Sequence, residues 1–82
     1  MKITYTKSAE KEILSLDKST GQRIFKKIEL LEKNPFGQGA KKLGGGKGYR
    51  MRVGDYRVIY IIDKENKEVV IIKIRHRKEA YR

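Results

Sequence analysis

The chain has 82 residues, which is the length of one domain, residues 1–82, with no room for a second core. Lysine and arginine total 21 against 10 aspartate and glutamate residues, a formal net charge of +11. That excess favours a polyanionic partner, either nucleic acid or an acidic protein. The absence of cysteine excludes disulfide bonds, zinc–thiolate sites and thiol nucleophiles. No apolar run approaches the roughly 18 residues of a membrane span, and no signal-peptide core is present, so we expect a cytoplasmic protein without membrane contact.

The N-terminal segment predicts a short strand followed by a helix. Residues 2–6 alternate in polarity, with Ile3 and Tyr5 on the same side. Thr6 or Ser8 is a suitable N-cap for a helix that runs to about residue 17. Its apolar stripe is formed by Ala9, Ile13 and Leu16. These positions recur at helical spacing, which predicts that they belong to a core.

A second helix is predicted directly after the first. Ser19 and Gln22, three residues apart, form a capping-box pattern. The apolar positions Ile24, Phe25, Ile28 and Leu31 then recur at helical spacing. Asn34-Pro35 is expected to end this helix, because proline disfavours the helical conformation of the residue before it. Two helices joined by so short a turn predict an antiparallel helical hairpin.

Residues 36–48 predict a glycine-rich basic loop. They contain six of the eight glycines together with Lys41, Lys42 and Lys47. The G-x-x-x-x-G-K-[ST] pattern of a nucleotide-binding loop is absent, and the segment does not lead from a strand into a helix. We therefore interpret it as a loop whose lysines contribute to polyanion binding, without a nucleotide cofactor.

Residues 48–60 predict a β-hairpin that turns at Gly54-Asp55. Glycine suits the first central position of a type II′ turn, which requires φ > 0. A two-residue loop places Arg52 opposite Arg57, with Arg50 two residues along the same face. Like charges opposite one another on a sheet are unfavourable. We therefore predict that this face receives an anion.

The last strand is predicted from residue 69 to about residue 77. Val70, Ile72 and Ile74 alternate there with Lys73, Arg75 and Arg77. A three-residue loop at positions 65–67 places Arg57 opposite Arg75 and brings the basic residues together, whereas a two-residue loop separates them. The pattern leaves both registers open. The predicted fold class is α+β in the order β-α-α-β-β-β, with a helical hairpin packed on one face of a largely antiparallel sheet.

The chemistry available is that of a basic surface. No paired carboxylates, Ser-His-Asp set or metal-ligand cluster stands out, so we predict neither a metal nor another cofactor. Arginine binds phosphate through parallel hydrogen bonds and retains its charge, but it is a poor base. His76 is the one side chain of a type whose ordinary pKa suits proton transfer. Tyr81, near a polar terminus, is the aromatic side chain that we expect to contact a ligand.

These residues resemble the RelE/ParE toxin superfamily, and most closely its RelE branch. The resemblance rests on the string from Tyr49 to Tyr60, Tyr-Arg-x-Arg-Val-Gly-Asp-Tyr-Arg-x-x-Tyr, and on the run from His76 to Tyr81. The helical pattern that ends at Asn34 extends the likeness over essentially the whole chain. RelE-type members are toxins of type II toxin–antitoxin systems that cleave ribosome-bound mRNA without a metal. The resemblance therefore implies a RelB-like antitoxin, mRNA and the ribosome with its rRNA as partners.

The resemblance also implies roles for individual residues. Arg57 would stabilise the cleaved phosphate, and Arg77 would do so too or assist the leaving group. Tyr81 would stack on or orient the substrate. Arg50 and Arg52 replace two lysines of well-studied RelE members, so the base is either His76 or Tyr81, or catalysis relies on electrostatics. The predicted catalytic set is Arg50, Arg52, Arg57, His76, Arg77 and Tyr81. The predicted RNA-binding set is Lys41, Lys42, Lys47, Lys73 and Arg75.

Two other functions fit the same sequence. A ParE-like protein would inhibit DNA gyrase by binding, without RNA chemistry, because a fold does not fix a function. A degenerate toxin would bind its antitoxin and nothing else. The basic residues at 50, 52, 57 and 77 together with Tyr81 favour the ribonuclease.

Overall fold

The computed structural model describes residues 1–36, 39–46 and 48–76. Two helices pack on one face of a five-stranded sheet. The elements are β1 (Lys2–Tyr5), α1 (Lys7–Leu14), α2 (Lys18–Glu29), β2 (Lys41–Lys42), β3 (Tyr49–Val53), β4 (Tyr56–Asp63) and β5 (Glu68–His76). The strand order is β1-β5-β4-β3-β2, in which β1 and β5 are parallel and the other neighbours antiparallel. The predicted α+β class, with a helical hairpin on a largely antiparallel sheet, is confirmed.

The glycine-rich segment contains one strand that the sequence pattern did not predict. β2 is only two residues long and pairs at the sheet edge, with Lys41 opposite Arg50 and Lys42 opposite Tyr49. Such a short strand has no alternation that a pattern could reveal, because strand periodicity needs about four residues. The interpretation of residues 36–48 as a loop throughout was therefore wrong at these two positions.

The helices begin at side-chain caps, one of which differs from the prediction. Thr6 caps α1 as expected, with its hydroxyl accepting the N–H of Ala9 at 3.1 Å. α2 is capped by Asp17, whose carboxylate accepts the N–H of Thr20 at 3.1 Å, and not by Ser19. Hydrogen bonds from Thr20, first from its side chain and then from its backbone N–H, hold the pKa of Asp17 below its usual range. Aspartate caps helices as well as serine does, so α2 begins at Asp17, two residues before the predicted cap.

The predicted register of the β3–β4 hairpin is confirmed. Arg52 lies opposite Arg57, and Met51 lies opposite Val58. Gly54 has φ +59°, while Asp55 is not among the residues with positive φ, which is the pattern of a type II′ turn. The two-residue turn therefore fixes which side chains of this hairpin share a face.

β5 pairs Arg75 with Arg57, one of the two arrangements that the sequence left open, but not through a three-residue loop. Asp63 pairs with Glu68, so the loop has four residues instead of three, and a β-bulge then shifts the register between Ile59 and Tyr60. The bulge leaves Ile72 unpaired, which returns Arg75 to its place opposite Arg57. The core-facing residues of β5 are consequently Val69, Ile71 and Ile74. The alternation of Val70, Ile72 and Ile74 with the basic residues therefore does not mark a single face of β5, because the bulge interrupts it at Ile72.

The core lies between the helices and the sheet. Tyr60 is fully buried there, and its hydroxyl donates to the carbonyl of Pro35 at 2.8 Å, which ties the segment after α2 to β4. Burial, with a smaller effect from Tyr49, raises the pKa of Tyr60 to about 12. The buried core consists of Ala9, Ile24, Ile28, Leu31, Met51, Val53, Val58, Tyr60, Val69, Ile71 and Ile74. Neither α1 nor α2 has the length and apolar character needed to cross a membrane.

Gly48 is predicted to be a position where no side chain is tolerated. Its φ is +106°, and an added Cβ would lie 2.5 Å from the carbonyl oxygen of Tyr60. We expect Gly48→Ala to lower the free energy of unfolding by about 1–3 kcal/mol, the usual cost of such strain. The matched control is Gly44→Ala, where a Cβ meets nothing within 4 Å. That variant should change stability by less than about 0.5 kcal/mol in urea denaturation. Equal effects of the two substitutions would contradict this account.

Candidate nucleic-acid interface

Three arginines form a row across the three central strands. Arg52 of β3 lies opposite Arg57 of β4, and Arg57 lies opposite Arg75 of β5. Directly opposed residues have Cβ atoms about 4.5–5.5 Å apart, so the three side chains start from neighbouring positions on one face of the sheet. The helices pack on the other face of the sheet, where Val58 and Ile74 are buried. This arginine row therefore lies on the face that the helices leave open.

A second basic row lies beside the first. Lys41 of β2 is opposite Arg50, and Ile59 of β4 separates Arg50 from Lys73 of β5. Residues two apart along a strand are about 6.8 Å apart, so the two rows are near neighbours. The second basic row comprises Lys41, Arg50 and Lys73, and together with the arginine row it forms what we call the basic face.

An acidic residue of α1 partly offsets the positive charge of the basic face. Glu12 of α1 pairs with Arg75, with Oε2 3.0 Å from Nε. Its other oxygen, Oε1, accepts the backbone N–H of Ile74 at 3.2 Å. Glu12 was not among the predicted site residues, although its position beside the apolar stripe of α1, three residues after Ala9, is a signal that it faces the sheet.

Two predicted site residues lie away from the basic face. His76 pairs with Tyr56, and their rings pack edge to face at 5.1 Å. Since Tyr56 lies opposite the buried Val53, this pair belongs to the helix-side face. Lys42 lies opposite Tyr49 and likewise falls on the other side of the sheet from Arg50. The structure thus separates His76 and Lys42 from the two rows.

Three further predictions fall outside the described residues. These are Lys47, Arg77 and Tyr81. Their predicted roles therefore stay predictions. In the part of the chain that the structure describes, no three histidine or acidic residues lie close enough together to hold a metal ion.

The helix side carries a surface of different character. A groove of about 890 Å³ runs between α1 and α2. Leu14, 74% exposed, and Phe25, 46% exposed, contribute its apolar character. Acidic and basic residues, among them Glu10 and Lys26, are mixed along its rim. Because the groove lacks a single sign of charge, the basic face is the better candidate for binding a polyanion.

A protein family model matches nearly the whole chain. Residues 3–81 match the family described as the ParE toxin of type II toxin–antitoxin systems. The chain belongs to this toxin family. The search of curated proteins found no match.

Solved structures place the toxin in the RelE/ParE superfamily. A chain of the archaeal RelE–RelB complex from Pyrococcus horikoshii OT3 is 32% identical, with 93% of each chain covered and a TM-score of 0.80. A chain of the RelBE2 toxin–antitoxin complex from Mycobacterium tuberculosis is 25% identical, with 93% of this chain and 96% of that chain covered and a TM-score of 0.81. The isolated Escherichia coli RelE toxin shares the fold at 23% identity, with 98% and 89% covered and a TM-score of 0.82. The superfamily resemblance of the sequence is confirmed.

The arginine row should cost the toxin stability in the absence of an anion. Opposed like charges on a sheet are unfavourable by a few tenths of a kcal/mol to about 1 kcal/mol. We therefore expect Arg52→Gln to raise the free energy of unfolding by about 0.5 kcal/mol at low ionic strength, with the gain lost near 1 M salt. Lys64→Gln, in the exposed loop before β5, is the matched control for loss of one charge. A destabilised Arg52→Gln variant in urea denaturation would contradict the predicted repulsion.

Proposed function

We propose that the toxin is a RelE-type endoribonuclease that cleaves mRNA on the ribosome and thereby inhibits translation. The observation that carries the proposal is the arginine row, in which Arg52, Arg57 and Arg75 share one register on the open face of the sheet. A phosphodiester is the anion that such a row suits, because guanidinium donors match phosphate oxygens in pairs. The 32% identity with the archaeal RelE–RelB structure supports the same branch of the superfamily.

The second basic row supports a polymeric substrate. Lys41, Arg50 and Lys73 extend the positive charge along the strands, away from the arginine row. A single phosphate needs only one of the two rows, whereas a nucleic-acid strand presents phosphates at regular intervals. We therefore propose that the arginine row binds the reacting phosphate and that the second basic row binds a neighbouring one.

The proposed reaction is an attack of the ribose 2′-oxygen on its own phosphate. The new bond joins that oxygen to phosphorus, and the bond from phosphorus to the 5′-oxygen of the next nucleotide breaks. The products are a 2′,3′-cyclic phosphate and a free 5′-hydroxyl. Negative charge grows on the phosphate oxygens during this step, and Arg57, at the centre of the row, is placed to stabilise it. In this proposal the described residues contribute to catalysis by holding positive charge in place before the reaction begins.

The proton transfers require a group beyond the arginine row. A base takes the proton of the 2′-hydroxyl, and an acid supplies one to the leaving 5′-oxygen. His76 and Tyr81 are the two candidates. The packing of His76 on Tyr56, on the helix-side face, favours Tyr81 for this role.

We also propose that a cognate RelB-like antitoxin holds the toxin inactive. Two of the structures that resemble it are complexes of RelE with RelB, from Pyrococcus horikoshii and Methanococcus jannaschii. The formal charge of +11 favours an acidic partner segment over the basic face. Such a segment would compete with mRNA for the same arginines.

The decisive assay adds the purified toxin to ribosomes translating a defined mRNA. We expect cleavage, and we expect Arg57→Ala to lower the cleavage rate by about 100-fold, the usual effect of removing one group that stabilises transition-state charge. Arg23→Ala is the matched control, because this exposed arginine lies on α2 near Gly54. Primer extension on the mRNA measures both variants.

Two outcomes would overturn the proposed function. Absence of cleavage by the wild-type toxin is the first, and cleavage unchanged by Arg57→Ala is the second. A gyrase supercoiling assay run in parallel tests the alternative, since loss of supercoiling with intact mRNA would assign the toxin to the ParE-type inhibitors. A degenerate toxin would be inactive in both assays and still bind its antitoxin.

The placement of His76 gives a separate prediction. If His76 acted as general base, its loss would lower the rate by about 100-fold or more. We expect His76→Gln to retain cleavage within about threefold of wild type, because the side chain packs on Tyr56 away from the arginine row. Tyr81→Phe should lower the rate much further. A hundredfold loss in His76→Gln, with a folded protein by circular dichroism, would return the proton transfer to His76.

A further inference from the structure

Glu12 joins helix α1 to the basic face through both carboxylate oxygens. Oε2 lies 3.0 Å from Nε of Arg75, and Oε1 accepts the N–H of Ile74 at 3.2 Å. The side chain of Glu12 is only 20% exposed, against 40% for Arg75. A carboxylate held at two points has little freedom, so its partner is held as well.

The reason for this contact lies at the edge of the sheet. β1 pairs with β5 only as far as Ile71, and among the described residues no strand lies beside the part of β5 beyond it on this side. Thr6 continues the edge by donating its N–H to the carbonyl of Ile71 and its hydroxyl to that of Ile72. The carboxylate of Glu12 then takes the N–H of Ile74. The start of α1 thus hydrogen-bonds to the edge of β5 beyond the end of β1, and these contacts determine the position of Glu12.

We propose that Glu12 is a positioning residue that holds the guanidinium of Arg75 in the arginine row. This inference rests on the proposed function and names a part of its machinery. The ion pair is made through Nε, and in this proposal a phosphate is bound by the N–H donors of Nη1 and Nη2. The fixed orientation matters because a displaced donor stabilises the transition state less than an aligned one.

Glu12 has a second, opposite effect on RNA binding. Its negative charge reduces the attraction of the arginine row for any polyanion, whatever the geometry. Removing that charge should therefore strengthen binding to RNA while it weakens catalysis, because Arg75 gains net charge and loses its orientation. Substitution of a residue needed only for folding would not strengthen RNA binding while it weakens catalysis.

The experiment compares Glu12→Gln with the wild-type toxin. The amide oxygen of glutamine still accepts the N–H of Ile74, but its NH₂ group offers Arg75 no acceptor. We expect kcat for ribosome-bound mRNA to fall about tenfold, within the range measured for coupled residues in contact. KM should fall rather than rise. A 2′-O-methyl RNA oligonucleotide that resists cleavage should bind more tightly, with a salt slope steeper by about 0.7 for one additional phosphate contact.

Glu10→Gln is the matched control for the change in net charge. Glu10 lies on the same helix but lines the groove between the helices. This variant should keep the wild-type kcat and the wild-type salt slope. Urea denaturation of both variants separates a loss of folding from a loss of positioning.

The most discriminating comparison adds the Arg75→Ala variant and the double variant Glu12→Gln/Arg75→Ala. If Glu12 acts through Arg75, Glu12→Gln has no further effect on kcat or on the salt slope once Arg75 is alanine. Equal effects of Glu12→Gln with and without Arg75 would overturn the proposal, as would an unchanged kcat and slope in the single variant. The binding arm needs no cleavage, so it tests the role of Glu12 even if the wild-type toxin leaves mRNA intact, a result that would overturn the proposed function alone.

Discussion

The register of three strands is the constraint on which the candidate site depends. The turn at Gly54 sets β3 against β4, and the bulge at Ile72 sets β5 against β4. Without the bulge, the four-residue loop before β5 would place Ile74 opposite Arg57 and turn Arg75 toward the helices. A one-residue shift exchanges the two faces of a strand, so it would exchange the core of β5 with its basic residues. The bulge therefore allows both Ile71 and Ile74 to face the core while Arg75 lies in the arginine row.

The basic face has an electrostatic cost that the fold offsets locally. The three residues of the arginine row are all positively charged, and like charges on neighbouring strands repel one another. Glu12 reaches this row from α1, because that helix closes the edge of β5 where β1 ends. The helix thus has two functions, covering the core and pairing with one cation of the face opposite. This arrangement keeps the row positively charged while fixing the orientation of one of its members.

The sequence predicted the parts of this protein that depend on local patterns. The hairpin register followed from Gly54, since a two-residue turn leaves no freedom in the pairing of its strands. The bulge at Ile72 did not follow, because it depends on how the core of β5 meets the helices. Ser19 was predicted to cap α2, but Asp17 does so, because both side chains can accept a backbone N–H and the pattern alone does not choose between them. The contact of Glu12 with Arg75 could not be predicted from local patterns either, because the two residues lie 63 positions apart in the chain.

The site was predicted less completely than the fold. Arg50, Arg52, Arg57 and Arg75 could be grouped because they lie at alternate positions of strands whose faces the apolar residues reveal. His76 was grouped with them by its proximity in sequence and by its chemistry. Adjacent residues of a strand point to opposite faces, however, so a neighbour of Arg75 belongs to the other side of the sheet. Alternation, applied as strictly to polar residues as to apolar ones, would have placed it correctly.

The most direct test of the central claim observes the arginine side chains themselves. The Nε–H resonances of Arg52, Arg57 and Arg75 are recorded by NMR while a 2′-O-methyl RNA oligonucleotide is added. The account predicts large shifts for these three signals and little change for Arg23, which lies on α2 beside Gly54. Shifts confined to the helix side, or absent from the arginine row, would contradict it.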